Sequence, residues 1–178
     1  MSDTCPGEKY KNGLTASSEC ETVKEEVIRE KILQMLLREK GFKPDDLEVD
    51  IPYEFESGAD RVQSRASIII RLEGRRVVLI KCGAGSILAR ERPTLSLARL
   101  LDAVQIPLTV VTNSEDATLL NTLNGETLAC GLGAIPTRTQ ALDRLRDLEF
   151  IPVPEKRREM EKRILSAFEA LGLHGECH

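Results

Sequence analysis

The stretch that decides the fold is Arg65-Ala-Ser-Ile-Ile-Ile-Arg-Leu-Glu-Gly-Arg-Arg-Val-Val-Leu-Ile-Lys-Cys-Gly-Ala-Gly85. Its two near-continuous apolar runs predict buried strands over Ser67–Leu72 and Arg76–Lys81. Such runs are typical of strands in the middle of a sheet that is covered on both faces. The outer end of each run is polar, Ser67 in the first strand and Lys81 in the second. We therefore expect the polar chemistry of the domain at these two residues.

The rest of the chain predicts helices and strands around this pair. A capping box at Thr22–Glu25 opens an amphipathic helix, whose apolar face is centred on Ile28 and Ile32 and which ends near Lys40. The further expected elements are, in chain order, a strand at Glu48–Phe55, a polar turn at Gly58–Gln63 before the central pair, a helix near Thr94–Gln105 with Pro93 in its first turn, a strand at Pro107–Thr112, a short helix around Glu115–Leu123, a small strand at Thr127–Cys130, and helices at Thr137–Asp147 and Glu155–Leu171. This order predicts an α/β or α+β domain with a mixed sheet flanked by helices.

The ends of the chain differ in character from its middle. Residues 1–21 lack periodicity and predict a disordered lead-in, 22–172 form the single expected domain, and 173–178 are expected to be a flexible tail. The tail carries His174, Cys177 and His178, for which incidental metal ligation is a better interpretation than a built site. The apolar face of the last helix is expected to be the stripe Met160, Ile164, Phe168 and Leu171.

Length and composition limit the kinds of protein that this chain can be. The 178 residues, 41% hydrophobic and only 3% aromatic, predict one globular domain with an aliphatic core. A net charge of −4 argues against a strong non-specific hold on nucleic acid, which needs a clearly basic face. No segment approaches the length of a transmembrane helix, so no membrane partner is expected. The five scattered cysteines, none in a CxxC pair, indicate reduced thiols in a cytoplasmic protein.

Several segments taken together resemble one nuclease family. In chain order they are Arg29-Glu30, Arg65–Ile70, Val78–Gly83, Arg99, Val110–Asn113 and Ile135–Arg138. Their order and spacing resemble the N-terminal domain of the type I restriction enzyme R subunit, a family of the PD-(D/E)xK nuclease superfamily. The resemblance implies a restriction-endonuclease-like sheet in which an Asp and a Glu on the two hairpin strands hold Mg²⁺. It also implies a Lys, two residues after the Glu, that assists the attacking water.

This sequence departs from the family at each of those positions. The Asp position falls on Ser67, the Glu position on Lys81 and the Lys position on Gly83, and only the acid of the first helix, Glu30, remains. The pair that would hold the metal changes from −2 to +1 in formal charge, and a lysine repels a divalent cation. Two further family positions, a frequent Gln and an aromatic, fall on Ser96 and Leu100.

These departures favour a catalytically degenerate domain that acts as a nucleic-acid- or protein-binding module, with no intact catalytic set, no metal and no cofactor. The alternative is an active Mg²⁺-dependent DNA endonuclease with relocated acidic residues, for which Glu48, Asp50, Asp60 and Glu73 stand at unsuitable spacing. A third class is a small-ligand or scaffold protein unrelated to nucleic acid. The partners considered are therefore DNA, a protein, or further copies of the chain.

The turn between the two central strands decides whether Ser67 and Lys81 can act together. A two-residue turn at Glu73-Gly74 pairs Ser67 with Ile80 and sends Lys81 to the other face of the sheet. A three-residue turn that includes Arg75, or a bulge, places both side chains in one pocket. The sequence leaves these alternatives open.

Four arginines are the candidate nucleic-acid contacts. Arg75, Arg76, Arg90 and Arg92 lie close to the two polar strand ends in sequence. They form a nucleic-acid surface only if the fold brings them together, and otherwise they are ordinary solvated charge.

Overall fold

The computed structural model describes residues 16–173, and the side chains of residues 22–171. Within these residues, six strands form one mixed sheet in the order β1 to β6, and four α-helices pack against it. The strands are β1 (Leu47–Ser57), β2 (Asp60–Leu72), β3 (Arg75–Cys82), β4 (Leu108–Thr112), β5 (Ala117–Asn121) and β6 (Thr127–Cys130). The helices are α1 (Ala16–Arg38), α2 (Ile87–Leu100), α3 (Arg138–Leu145) and α4 (Glu155–Leu173). The expected α+β class with a mixed sheet is confirmed.

Helices cover both faces of the sheet, as the apolar central strands require. Ile28 and Ile32 of α1 and Ala141 of α3 pack in one buried cluster with the sheet. Leu97 of α2 and Leu165 of α4 pack in a second cluster against its opposite face. Among the six described strands only β3 and β4 are parallel neighbours, and α2 makes the crossover between them. The domain is therefore a three-layer structure whose middle strands are dry on both sides.

A bulge in the central hairpin sets its register. The turn between β2 and β3 has two residues, Glu73 and Gly74, both with positive φ, as a tight hairpin turn requires. Ile70 pairs with Val78 but the next residue, Arg71, pairs with Arg76, so β3 contains one extra residue. This bulge shifts the remaining pairs, and Ile68 lies opposite Ile80. Of the two open alternatives, the structure therefore has the two-residue turn together with a bulge.

Two expected boundaries on the amino-terminal side are wrong. Helix α1 already begins at Ala16, so Thr22–Glu25 lies inside the helix, and part of the expected lead-in is helical. Residues 1–15 and the tail from 174 onwards, with its histidines, lie outside the described residues. The expected turn at Gly58–Gln63 is shorter, because β2 begins at Asp60 and extends the β1–β2 hairpin.

No helix within residues 16–173 combines the length and apolar character needed to cross a membrane.

Helix α2 begins earlier than the sequence predicts. Ser86 caps it, accepting a hydrogen bond from the backbone N–H of Ala89 at 3.3 Å, and the helix ends at Leu100 instead of Gln105. Pro93 therefore lies inside the helix and not in its first turn. The hydroxyl of Thr94, the residue after the proline, donates to the carbonyl of Arg90 at 2.7 Å, one turn back along the helix.

The expected helix around Glu115–Leu123 is a strand, β5, antiparallel to β4. Asn113 closes the turn that precedes it, because its side-chain oxygen accepts hydrogen bonds from the backbone N–H groups of Glu115 and Asp116. Four successive residues of β5, Ala117 to Leu120, are buried. Burial on both sides of the chain is what an inner strand provides, and tertiary context here overrides local helix preference.

The buried face of α4 is also rotated from the expected one. Met160 and Leu171 are 48% and 72% exposed, whereas Glu161 and Leu165 are buried. The helix turns its carboxylate inward because α2 supplies the groups that bind it, as described below. On the exposed side of the same helix, Glu159 forms an ion pair with Lys162.

Candidate functional site

Ser67 and Lys81 meet at one carboxylate of α1. The Lys81 ammonium lies 3.1 Å from Oε1 of Glu25, and the Ser67 hydroxyl donates to the same oxygen at 3.0 Å. Ser67 is fully buried and also accepts a hydrogen bond from the backbone N–H of Cys82 at 2.9 Å. The bulge in β3 thus brings both polar strand ends to one place, under the first helix. Burial raises the pKa of the neighbouring Cys82 thiol to about 12, which leaves that thiol protonated and unreactive.

The space beside Gly83 is taken by an arginine from α2. A Cβ atom placed on Gly83 would lie 1.2 Å from Nη1 of Arg90. The guanidinium of Arg90 therefore occupies the volume that a side chain at position 83 would need. The backbone N–H of Gly83 donates to the carbonyl of Thr112 at 3.1 Å, which ties this residue to β4. A lysine at position 83 is incompatible with Arg90 in this position.

A polar cleft of about 430 Å³ opens next to Glu25 and Lys81. Its charged lining residues are Glu25, Glu26, Arg29, Glu54, Arg65, Lys81 and Glu169. The two arginines share one carboxylate partner, Asp50, whose Oδ1 lies 3.3 Å from Arg29 and 3.0 Å from Arg65. Four glutamates against two arginines and one lysine give the lining one net negative charge, so the cleft has no concentrated positive field.

The first-helix acid in this site is Glu25 and not the expected Glu30. Glu30 is exposed and accepts a hydrogen bond from the side chain of Gln34, one turn along α1. Glu25 precedes the buried Ile28 and Ile32 by three and seven residues, which places it on the inward stripe of the helix. That spacing is a signal in the sequence that could have found it.

The four candidate arginines are not brought together. Arg76 is bound by Glu48 and Asp102, and Arg75 stacks on the Phe150 ring 5.0 Å away, both at the start of β3. Arg90 lies beside Gly83, just beyond the other end of the same strand. Arg92 binds the buried Glu161 at 2.7 Å. The structure therefore forms no continuous basic face from these residues.

Helix α4 supplies one wall of the cleft and is anchored by a buried carboxylate. Glu161 is fully buried and accepts hydrogen bonds from three arginines and one hydroxyl, at distances of 2.7–2.9 Å: Arg92, Arg99, Arg157 and Ser96. Burial alone would raise the pKa of this carboxyl, but these donors outweigh burial and lower the pKa to about 2. Eight residues further along α4, Glu169 accepts a hydrogen bond from Ser64 at 2.7 Å at the edge of the cleft. Sequence reasoning missed this cluster, because three of the four partners of Glu161 lie more than 60 residues away from it, in α2.

The residues at the strand ends do not fit a divalent cation. Mg²⁺ takes oxygen ligands in octahedral geometry, and here it would meet one hydroxyl, one carboxylate and the Lys81 ammonium. Within residues 22–171, no three His, Cys, Asp or Glu side chains come close enough together to hold a metal ion. A cation at this place would be repelled by Lys81 and would have to compete with it for Glu25.

The fold and the cleft define an α+β protein with a mixed sheet and a polar site where its central hairpin meets the first helix. A family model described as the type I restriction enzyme R protein N terminus matches residues 24–136, and the chain belongs to this family. The match includes all six strands and α2, whereas α3 and α4, with Glu161, lie beyond it. Comparison with curated proteins and with solved structures finds no match.

Proposed function

We propose that this chain is a catalytically inactive, restriction-endonuclease-like member of its family that binds a polypeptide partner at the polar cleft. The observation that carries the proposal is the Glu25–Lys81 ion pair, with Ser67 on the same oxygen. In the nuclease family that the sequence resembles, the chemistry at this site needs two carboxylates around a metal ion. Here the Lys81 ammonium is already bound to Glu25, and it supplies the positive charge that a metal ion would otherwise supply.

The space around the site supports the same proposal. The lysine that would assist an attacking water has no counterpart at Gly83, and Arg90 fills the volume beside it. A guanidinium stays protonated at any ordinary pH and is a poor proton acceptor, so it cannot replace a lysine as a general base.

A protein partner fits the cleft better than nucleic acid does. The arginines of the cleft are paired with Asp50, and four glutamates line the same cleft, so a phosphate backbone would meet both repulsion and few free cations. On the outer side of α1, next to the cleft residues Glu26 and Arg29, Val23 and Val27 are 58% and 52% exposed. An apolar patch beside a rim of mixed charge is the usual composition of a protein interface.

Two experiments test the two halves of the proposal. The purified 178-residue chain is incubated with supercoiled plasmid and Mg²⁺ or Mn²⁺, and no nicking is expected. Metal-dependent nicking that Glu25→Ala abolishes would instead support the active endonuclease with relocated acids.

The binding half is tested by affinity capture of proteins from the native host. We expect one polypeptide that the wild type retains and that the Val23→Glu/Val27→Glu variant loses. Leu128→Glu is the matched control, since Leu128 is 43% exposed on β6 at the far edge of the sheet. A duplex DNA that binds saturably at physiological salt, with no captured protein sensitive to the valine substitutions, would show that the partner is nucleic acid.

A further inference from the structure

A second groove lies at the opposite end of the central hairpin from the polar cleft. It has a volume of about 520 Å³, within the usual size of small-ligand sites, and it opens beside the Glu73-Gly74 turn. Three arginines of the hairpin line it, Arg71, Arg75 and Arg76, together with Phe150 from the segment before α4.

Arg76 is the fixed member of the three. Its guanidinium makes a two-pronged contact with Glu48, at 2.7 and 3.0 Å, and donates to Asp102 at 2.8 Å. These hydrogen bonds raise the pKa of Arg76 and hold the side chain in one orientation. Both carboxylates of the groove are engaged by this one guanidinium.

Arg71 and Arg75 therefore form no direct ion pair with either carboxylate, although the charge of Arg71 helps to lower the pKa of Glu48. Neither forms a salt bridge within residues 22–171, and Arg75 instead rests its guanidinium on the Phe150 ring, 5.0 Å from the centroid. Three arginines against two carboxylates leave the groove with one net positive charge. The rest of the wall is apolar or neutral, with Ala103, Val104 and Ile106 beside it.

From this arrangement we propose that the groove binds a small phosphorylated compound, with its phosphate on Arg71 and Arg75 and its uncharged body along the apolar wall. Guanidinium groups bind phosphate oxygens through paired hydrogen bonds, and the ring under Arg75 holds its plane in place for such contacts. A nucleic acid is a poorer occupant, because Glu48 and Asp102 flank the groove and the chain carries a net charge of −4. The proposal is independent of the partner at the polar cleft.

The test measures binding of inorganic phosphate, of adenosine monophosphate and of a short DNA duplex to the full-length chain. Thermal shift and calorimetric titration are compared with sodium chloride at equal ionic strength. We expect saturable stabilisation by phosphate and tighter binding of the mononucleotide, and the affinity of the Arg71→Ala/Arg75→Ala variant should fall at least about tenfold.

Matched variants separate this site from general charge effects. Arg146→Ala removes an exposed arginine at the end of α3 that does not line the groove, and it should bind both probes like the wild type. Arg71→Lys/Arg75→Lys keeps the charge but loses the planar fork, so its affinity should lie between those of the wild type and the alanine variant. The proposal is overturned if phosphate and the mononucleotide act no differently from chloride, if the folded alanine variant binds like the wild type, or if the duplex is the tighter ligand at the same arginines.

Discussion

The ammonium group of Lys81 and the carboxylate of Glu25 lie 3.1 Å apart, joining the end of β3 to α1 across 56 residues of sequence. Lys81 also donates to the backbone carbonyl of Arg65 at 3.0 Å, so it links α1, β2 and β3. Both side chains are largely shielded from solvent, 18% and 24% exposed, which makes the pair less sensitive to salt than a surface pair. The ion pair therefore joins the first helix to the two central strands.

Restoring acidic groups at the strand ends should create a cation site. In the Ser67→Asp/Lys81→Glu variant, Glu25 would face two new carboxylates and no ammonium, which is a ligand set suited to Mn²⁺ or Mg²⁺. We expect Mn²⁺ to bind with a dissociation constant of about 1 mM or tighter, against no saturable binding by the wild type. Isothermal titration or Mn²⁺ electron paramagnetic resonance measures this directly.

The control for that experiment makes the same charge change elsewhere in the cleft. Ser64→Asp/Arg65→Glu adds two carboxylates and removes one cation on the lining of the same cleft, and it leaves Ser67 and Lys81 unchanged. Equal Mn²⁺ affinity in both double variants would mean that general negative charge, and not the geometry at Glu25, binds the ion.

Gly83 and Arg90 should be energetically coupled. A methyl group at position 83 must displace the flexible guanidinium, so Gly83→Ala should lower the free energy of unfolding by about 1 kcal/mol. In an Arg90→Ala background the same substitution has free space, and its cost should largely disappear, which gives a positive coupling in a double-mutant cycle. Urea denaturation of the four proteins measures the cycle. Gly133→Ala is the control, since nothing lies near a Cβ at that position, and additivity of Gly83→Ala and Arg90→Ala would contradict the packing described here.

Glu161 should be among the most costly residues to truncate. Glu161→Ala leaves the buried Arg99 guanidinium without its carboxylate partner, and loss of one member of a buried pair typically costs about 3–5 kcal/mol. Glu161→Gln retains the shape but loses the charge and should fall between the alanine variant and the wild type. Chemical denaturation provides the measurement. Glu159→Ala, on the exposed side of the same helix, should change stability by less than about 0.5 kcal/mol, and a similar loss from both would contradict the assigned role of Glu161.

The same carboxylate predicts how stability depends on pH. Its pKa is about 2 in the folded chain and about 4.5 in the unfolded chain, so its contribution is complete above pH 4.5 and is lost as the pH falls towards 2. A difference of this size corresponds to about 3 kcal/mol. Asp46 and Glu48 also have lowered pKa values through Arg138 and Arg76, so the wild type is compared with Glu161→Gln at each pH. The stability difference between the two proteins should shrink between pH 4.5 and 2, and a constant difference would contradict the low pKa.

In the central hairpin, the local hydrophobic pattern predicts the two strands but not the register between them. The apolar runs of β2 and β3 were sufficient to predict two buried strands with polar ends, because burial on both faces demands such composition. The register between them was not predictable, since the bulge at Val77, between Arg76 and Val78, adds one residue without any change in the hydrophobic pattern. That single residue decides whether Ser67 and Lys81 share a pocket.

The two largest errors have one physical origin. Both β5 and α4 were assigned from local periodicity, but each takes its conformation or its rotation from distant partners. Inner-strand burial between β4 and β6 determines β5, and the arginines of α2 turn Glu161 of α4 inward. A charged residue on the buried side of a helix contradicts the simple apolar stripe, and only its ion pairs make that position favourable.

The sequence by itself determined that the chain is an α+β domain with a mixed sheet, that it resembles the restriction enzyme family to which it belongs, and that Ser, Lys and Gly stand at the strand-end positions. These features depend on composition and on the order of residues along the chain, so they can be predicted from local sequence patterns and from similarity to a family. Only the tertiary structure decided that Glu25 and not Glu30 meets Lys81, that Arg90 fills the space beside Gly83, and that the four candidate arginines form no single basic surface. Each of those outcomes depends on contacts between elements distant in sequence, whose geometry is set by one bulge and by the packing of helices on a sheet.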